Sequence, residues 1–163
     1  MFRISTIYCI LTTVYFLKGL GCTMRAIVGD FLWIGTAVDA GNIKAVLDAG
    51  ITAVVDLAIE EKPVVFPRDI VYCRVPMVDG EGNAPPILRI AIDTTVTLVR
   101  CRVPTLVACG GGMSRSPAVA AAALALVRGV SLDSTLEEIA ASGPHDVVPG
   151  LWTAIKAVAE ETR

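Results

Sequence analysis

Apolar residues from position 30 onward alternate between short continuous runs and helical spacing. The runs are rich in β-branched residues and have the length of buried strands. We predict strands at 31–34, 51–57, 70–75 and 103–108.

Between and after these runs, apolar residues recur every three or four positions, which is typical of helices that cover a sheet. We predict helices at 42–48, 87–99, 118–128, 131–141 and 151–162. Segment 76–86 holds three Pro and two Gly and is predicted to be a loop. The alternation of strands and helices predicts an α/β fold.

The first 23 residues follow a different pattern, with one Arg before an apolar run from Ile7 to Leu17. Three interpretations stay open: an extension upstream of a true start at Met24, a signal peptide or membrane anchor, or a structural segment. We assign residues 1–23 to this apolar extension and residues 24–163 to one domain of ordinary size.

Composition limits the classes of function. The chain has 14 basic and 16 acidic residues, so its net charge is −2 and no broad basic field is available for nucleic acid. A membrane partner is expected only if residues 1–23 are an anchor. The five cysteines are irregularly spaced and form neither a disulfide framework nor paired zinc ligands. We expect a reduced, cytoplasmic protein with no metal and no cofactor.

The segment from Cys109 to Arg115 carries the strongest chemical signal. A predicted buried strand leads into Cys109, which is followed by Gly110, Gly111 and Gly112. Arg115 lies six positions after Cys109, just before a predicted helix. Consecutive glycines allow backbone N–H groups to surround an anion. A helix N-terminus adds positive charge, and a guanidinium can bind two phosphate oxygens. Such surroundings favour a thiolate nucleophile, so this loop predicts a phosphate site.

The pattern C-x-x-G-x-S-R-S, formed here by Cys109, Gly112, Ser114, Arg115 and Ser116, resembles the signature loop of dual-specificity protein phosphatases. FLWIG, IKAVLDAGITAVVDL and VPMVDGEGN resemble other segments of that family, so the resemblance runs from about residue 29 to the C-terminus. It implies a protein tyrosine phosphatase-like fold, with a central, mostly parallel sheet flanked by helices. It also implies that residues 24–163 hydrolyse phosphomonoesters through a phosphocysteine intermediate without a metal.

The resemblance also assigns roles within the loop. Cys109 would attack phosphorus, Arg115 would bind the phosphoryl oxygens, and Ser116 would hydrogen-bond the sulfur as it leaves. The cradle would be completed by backbone N–H groups of Gly110, Gly111, Gly112, Met113, Ser114 and Arg115. The family usually has His directly before the nucleophile, where this chain has Ala108.

A phosphatase also needs a group that protonates the leaving oxygen. Asp79 is the best candidate because it lies in the Gly/Pro loop after a strand, where the resembling family carries its acid. Glu81 is nearby and is kept as an alternative. Asp93 falls inside a predicted helix, and His145 is expected to be a solvated or loop-capping residue.

Other residues invite functional interpretations that we rank lower. Trp33 and Trp152 are expected to pack in the core or at a sheet edge. Cys73 and Cys101 are expected to be buried apolar residues, and a protective disulfide to Cys109 is the alternative.

Other phosphate and sulfur enzymes fit the sequence less well. Low-molecular-weight tyrosine phosphatases carry the same motif near the N-terminus with the acid downstream, and rhodanese-type loops lack the Ser-Arg-Ser ending. The loop has no Lys to meet extra phosphates, which disfavours a polyanionic substrate. We therefore expect a phosphorylated protein or peptide as partner. The second hypothesis, suggested by Ala108, is a pseudophosphatase that binds phosphorylated partners without turnover.

Overall fold

The computed structural model describes residues 23–29 and 31–161. They form a five-stranded sheet in the order β1-β2-β5-β3-β4, with β1 antiparallel to β2 and all other neighbours parallel. The strands are β1 (Arg25–Val28), β2 (Leu32–Thr36), β3 (Ala53–Ala58), β4 (Val71–Met77) and β5 (Thr105–Cys109).

Six helices flank this sheet. They are α1 (Ala37–Gly41), α2 (Ile43–Asp48), α3 (Pro85–Arg100), α4 (Arg115–Arg128), α5 (Leu132–Ala141) and α6 (Pro149–Glu160). None of the helices in the described part of the chain is long and apolar enough to cross a membrane.

Two apolar clusters hold the helices against the sheet. Helices α3, α4 and α6 cover one face, where Leu88, Leu124 and Ile155 pack with residues of β2, β3 and β5. Helices α1 and α2 cover the other face through Ala40 and Val46. The first eleven residues of α4 are all buried because this Ala-rich helix is covered on every side.

The α/β class and the central, mostly parallel sheet flanked by helices are confirmed. All four predicted strands and all five predicted helices exist, with ends shifted by a few residues. Two elements were not predicted, β1 and α1, which have only four and five residues. Helix α1 is too short for periodicity to reveal, and Thr36 starts it with a capping box to Asp39.

The apolar run at Ile7 to Leu17 lies outside the described residues, and its three interpretations stay open. Thr23, the first residue described, donates from its backbone N and its Oγ1 to the carboxylate of Asp39, at 2.8 and 2.7 Å. These bonds tie the segment before β1 to the first turn of α1.

Candidate active site

Cys109 ends β5, the central strand of the sheet, and is 1% exposed. Its register partner is Thr36 at the end of β2, so the thiol lies at the carboxyl edge of the parallel strands. The Sγ atom lies 3.2 Å from Ser116 Oγ, in the first turn of α4. The carboxyl edge of parallel strands is where open α/β sheets bind ligands.

Residues 110–114 connect this strand to α4 in a loop packed against the end of β2. Gly112 has φ +68°, and a Cβ there would lie 3.0 Å from the backbone C and O of Gly35. Only glycine combines this conformation with this close approach. Met113, next along the loop, is 38% exposed, and its carbonyl accepts a 2.7 Å hydrogen bond from the Asp146 backbone N. The connection between α5 and α6 therefore borders the loop.

Arg115 is the largest fully buried side chain and opens α4 at the base of the loop. Its Nη1 donates to the Met77 carbonyl at 2.9 Å and to Glu60 Oε2 at 2.7 Å. Its Nη2 donates to Glu60 Oε1. Its Nε is buried and has no partner among the described residues. The guanidinium is thus fixed on one side by protein and keeps one donor for a ligand.

The electrostatic surroundings keep this guanidinium charged. Burial alone would lower the pKa of Arg115, but the hydrogen bond to Glu60 and the nearby charges of Cys109 and Asp79 raise it above its ordinary value. A permanent, immobile cation beside a buried thiol is the arrangement that stabilises a thiolate and an incoming phosphate.

Glu60 was missed by the sequence analysis. It follows β3 at the same edge of the sheet as Cys109, and a Cβ on Gly110 would overlap its Oε1. Arg74 holds the loop that carries Glu60 by donating to the carbonyls of Ala58 and Glu61, at 3.1 and 2.7 Å. An acidic residue at the carboxyl end of a neighbouring parallel strand was the available signal.

The Glu60–Arg115 pair makes stability depend on pH. The hydrogen bond from Arg115 lowers the pKa of Glu60 from its ordinary value of 4.5. A carboxylate whose pKa is lowered in the folded state contributes its full stabilisation when the pH is above its ordinary, unfolded-state pKa. The contribution is lost as the pH falls through the folded-state pKa. We expect Glu60→Gln to reduce the free energy of unfolding by about 1–2 kcal/mol at pH 7, with the difference shrinking in acid.

Urea unfolding of both proteins at pH 7 and in acid measures this effect. The control is Glu61→Gln, which removes the same charge from the adjacent exposed residue. Equal stabilities of Glu60→Gln and the native chain at pH 7 would contradict the expectation.

Asp79 lies in the loop between β4 and α3, with its Oδ2 3.8 Å from Arg115 Nη2 and its side chain 52% exposed. Asn83, which sequence analysis did not single out, stabilises this loop. Its Oδ1 accepts from Val78 N at 2.9 Å, and its Nδ2 donates to the carbonyls of Val78 and Gly80 at 2.9 and 3.1 Å. An Asn shortly after Asp-Gly is a residue type suited to closing such a turn.

The other candidates lie outside this constellation. Glu81 lies against Gly150 in the first turn of α6. Asp93 is exposed on α3, and His145 is exposed between α5 and α6. Trp33 is 4% exposed, and Trp152 is 8% exposed and donates its Nε1 to Asp133, as expected for packing residues.

Cys73 and Cys101, the other cysteines among the described residues, are free thiols. Cys73 lies on β4, two strands away from Cys109, and Cys101 precedes β5 at its opposite end. Strands are about 4.8 Å apart, and a strand rises about 3.3 Å per residue, so both distances exceed the reach of a disulfide. The prediction that both thiols are buried is wrong, since Cys73 is half-buried and Cys101 is exposed.

Ala108 points away from the α4 side of the sheet. It is fully buried in the apolar cluster that also contains Trp33 and Val54. Within residues 23–29 and 31–161, no three His, Cys, Asp or Glu side chains form a group that could hold a metal ion.

No protein-family model matches the sequence, and no curated protein does either. Solved structures do match. Human DUSP28 is 26% identical over 85% of this chain and 96% of its own, with a TM-score of 0.73. A mouse dual specificity phosphatase, solved with zinc tungstate, is 27% identical over 85% of this chain and 87% of its own, with a TM-score of 0.74.

A third structure, DUSP15, has a TM-score of 0.70 at 24% identity, with 85% of this chain and 88% of its own covered. TM-scores of 0.70–0.74 over 85% of the chain show that the fold is shared over this length. The chain therefore has the fold of the dual-specificity phosphatases, and these neighbours support its place in the cysteine-dependent protein tyrosine phosphatase superfamily.

Proposed function

We propose that this chain hydrolyses phosphomonoesters through a phosphocysteine intermediate on Cys109, acting on phosphotyrosine and on phosphoserine or phosphothreonine in proteins. The observation that carries the proposal is the meeting of a buried thiol and a buried guanidinium at one loop. Arg115 has all its terminal nitrogens bound by protein but keeps its Nε without a partner. A phosphoryl oxygen in the loop would satisfy this donor.

In the first step, the Cys109 thiolate attacks phosphorus while the bond from phosphorus to the leaving oxygen breaks. Asp79, in its protonated form, gives its proton to that oxygen, so the product leaves as an alcohol or phenol. The backbone N–H groups of residues 110–115 and the Arg115 guanidinium balance the charge on the equatorial oxygens.

In the second step, water attacks the phosphocysteine and gives a proton to the Asp79 carboxylate. The sulfur–phosphorus bond breaks, orthophosphate leaves, and Cys109 returns as a thiolate. Ser116 Oγ, 3.2 Å from Sγ, donates a hydrogen bond to the departing sulfur. Neither step needs a metal or an external electron carrier.

The charges around the loop favour a substrate with a single phosphate. Glu60 and Asp79, which line Arg115, have side chains that are 46% and 52% exposed. Residues 110–114 contain no basic side chain. A second phosphate near the first would meet these carboxylates without a compensating cation, and like charges at this range repel.

The test of the function is direct. The purified chain is incubated with p-nitrophenyl phosphate in the presence of EDTA, and a second sample is quenched in acid and digested for mass spectrometry. We expect steady release of p-nitrophenol and a phosphorylated peptide that contains Cys109. Hydrolysis no faster than the buffer blank, with no phosphorylated Cys109, would contradict the proposal.

A pseudophosphatase is the second candidate, and Ala108 favours it. The side chain before the nucleophile lies in an apolar cluster and supplies no hydrogen-bond donor to the loop. In that case inorganic phosphate would bind in titration calorimetry, the binding would require Arg115, and the acid-quench experiment would yield no phosphocysteine.

Asp79→Asn gives a prediction that depends on the leaving group. We expect kcat/KM for phenyl phosphate, which depends only on the steps up to the phosphocysteine, to fall by roughly 10²–10³-fold, because an amide cannot protonate a poor leaving group. The loss for p-nitrophenyl phosphate should be smaller, since its leaving group is more stable as an anion. Steady-state rates with both esters measure this contrast, and Asp93→Asn, on the exposed face of α3, is the control. Equal losses with both esters would exclude Asp79 as the acid.

A further inference from the structure

The loop that carries Asp79 meets the beginning of helix α6. A Cβ on Gly150 would lie 2.7 Å from Glu81 Cδ and would overlap its Oε1. The Glu81 carboxyl group therefore lies close to the backbone of Gly150, and a side chain at position 150 would displace it. Gly150 does not have a positive φ, so a substitution there acts on this packing and not through backbone strain.

Helix α6 begins without a side-chain cap of its own. The N-cap residue is Val148, whose apolar side chain cannot accept a hydrogen bond from the first helical N–H groups. Pro149 follows at the first helical position. The first N–H groups of a helix have no partner within it, and they carry a partial positive charge. With twelve residues, α6 is long enough for this charge to be substantial. A carboxylate over Gly150 compensates that charge.

Glu81 and Asp79 lie in the same hydrogen-bonded loop. The two residues are separated by Gly80, whose carbonyl accepts from Asn83 at 3.1 Å. Asn83 closes the loop at its other end by binding both the N–H and the carbonyl of Val78. A contact that fixes Glu81 therefore also restricts where Asp79 can lie relative to Arg115.

We propose that Glu81 is a positioning residue, whose side chain packs against Gly150 at the start of α6 and holds the loop 78–83 with Asp79 over the phosphate cradle. The catalytic consequence rests on the proposed function, whereas the structural contact does not. This role differs from that of a substitute acid, because Glu81 acts through the position of Asp79 and donates no proton.

The first arm of the experiment uses the two esters that test Asp79. A carboxylate at a helix N-terminus shifts an equilibrium by a factor of about 2–5, so Glu81→Ala should lower kcat/KM for phenyl phosphate by that factor. The rate with p-nitrophenyl phosphate should change less. The matched control is Glu137→Gln, which removes one exposed carboxylate from α5. An equal loss with both esters would overturn the proposal.

The second arm uses Gly150→Ala, which keeps Glu81 but fills the space that its carboxyl group occupies. Alanine is the better helix former, so thermal unfolding should show no loss of stability. The kcat/KM for phenyl phosphate should nevertheless fall as in Glu81→Ala, and the double variant should be no worse than either single one. An undiminished effect of Gly150→Ala in the Glu81→Ala background would contradict the contact.

The third arm needs no activity. Hydrogen exchange of the amides at 78–83 should be faster in Glu81→Ala and in Gly150→Ala than in the native chain and in Glu137→Gln. Unchanged exchange would overturn the proposal even in an active enzyme. If the native chain hydrolyses neither ester, the proposed function fails while the exchange data still decide the contact. A loss of kcat/KM for phenyl phosphate in Glu81→Ala as large as that of Asp79→Asn would make Glu81 the acid itself.

Discussion

Cys109→Ser is expected to reduce the hydrolysis of p-nitrophenyl phosphate by about 10³–10⁶-fold, because loss of a covalent nucleophile removes the pathway itself. The serine hydroxyl stays protonated at neutral pH and is a far weaker nucleophile than a thiolate. The substitution is nearly isosteric, and Cys109 is 1% exposed in the core at the end of β5. The fold should therefore be unchanged, and the cradle should still bind phosphate.

Three measurements separate chemistry from structure in this variant. Steady-state rates give the loss of turnover, calorimetric titration with inorganic phosphate gives binding, and thermal unfolding gives stability. Cys73→Ser is the matched control, since Cys73 is a free, half-buried thiol on β4, away from the loop. A native chain no faster than Cys109→Ser, with phosphate binding intact in both, would leave the pseudophosphatase as the function.

The parts of the candidate site that are contiguous in the chain could be predicted from the sequence. The strand into Cys109, the glycines and the helix opening at Arg115 are contiguous, and each obeys a backbone preference that a short window displays. Helix α4 was predictable because its Ala-rich composition favours a helix that is buried on all sides.

Contacts between distant segments were not visible in the same way. Glu60 is 55 positions before Arg115 in the chain, yet it holds two of the three guanidinium nitrogens. Its partner could be identified only once the order of β3 and β5 in the sheet was known. The contact of Glu81 with Gly150 joins a loop to a helix about 70 positions away, and no periodicity or spacing marks it.

Asp79 illustrates an intermediate case. Its position in a Gly/Pro loop after a strand made it a candidate, and the structure places its Oδ2 3.8 Å from Arg115. The bonds of Asn83 that shape this loop depend on side-chain geometry, which residue types suggest but do not determine. The sequence could therefore indicate the candidate acid but not the residues that fix its position.

Arg115→Lys is the second substitution with a large expected effect, and its cause lies in the number of bonds that the guanidinium makes. Arg115 binds the Met77 carbonyl and both Glu60 oxygens, and keeps Nε for a ligand. A single ammonium group has three donors at one point and cannot reach partners on both sides. We expect kcat to fall by about 10³-fold or more, as when a transition-state cation is removed from a phosphoryl site.

The same substitution should also weaken the fold, and the two effects can be separated. Lysine leaves buried carbonyls and the Glu60 carboxylate with fewer donors, which costs about 2–4 kcal/mol of unfolding free energy. Arg128→Lys, in the exposed pair with Glu138, is the control and should change neither quantity appreciably. If Arg115→Lys does not fold, Arg115→Ala with added guanidinium provides a second measurement, in which partial rescue of the rate is expected. A folded Arg115→Lys protein with a kcat within tenfold of the native value would contradict a role for Arg115 in the transition state. Such a protein would lack the planar guanidinium and would still turn over at nearly the native rate.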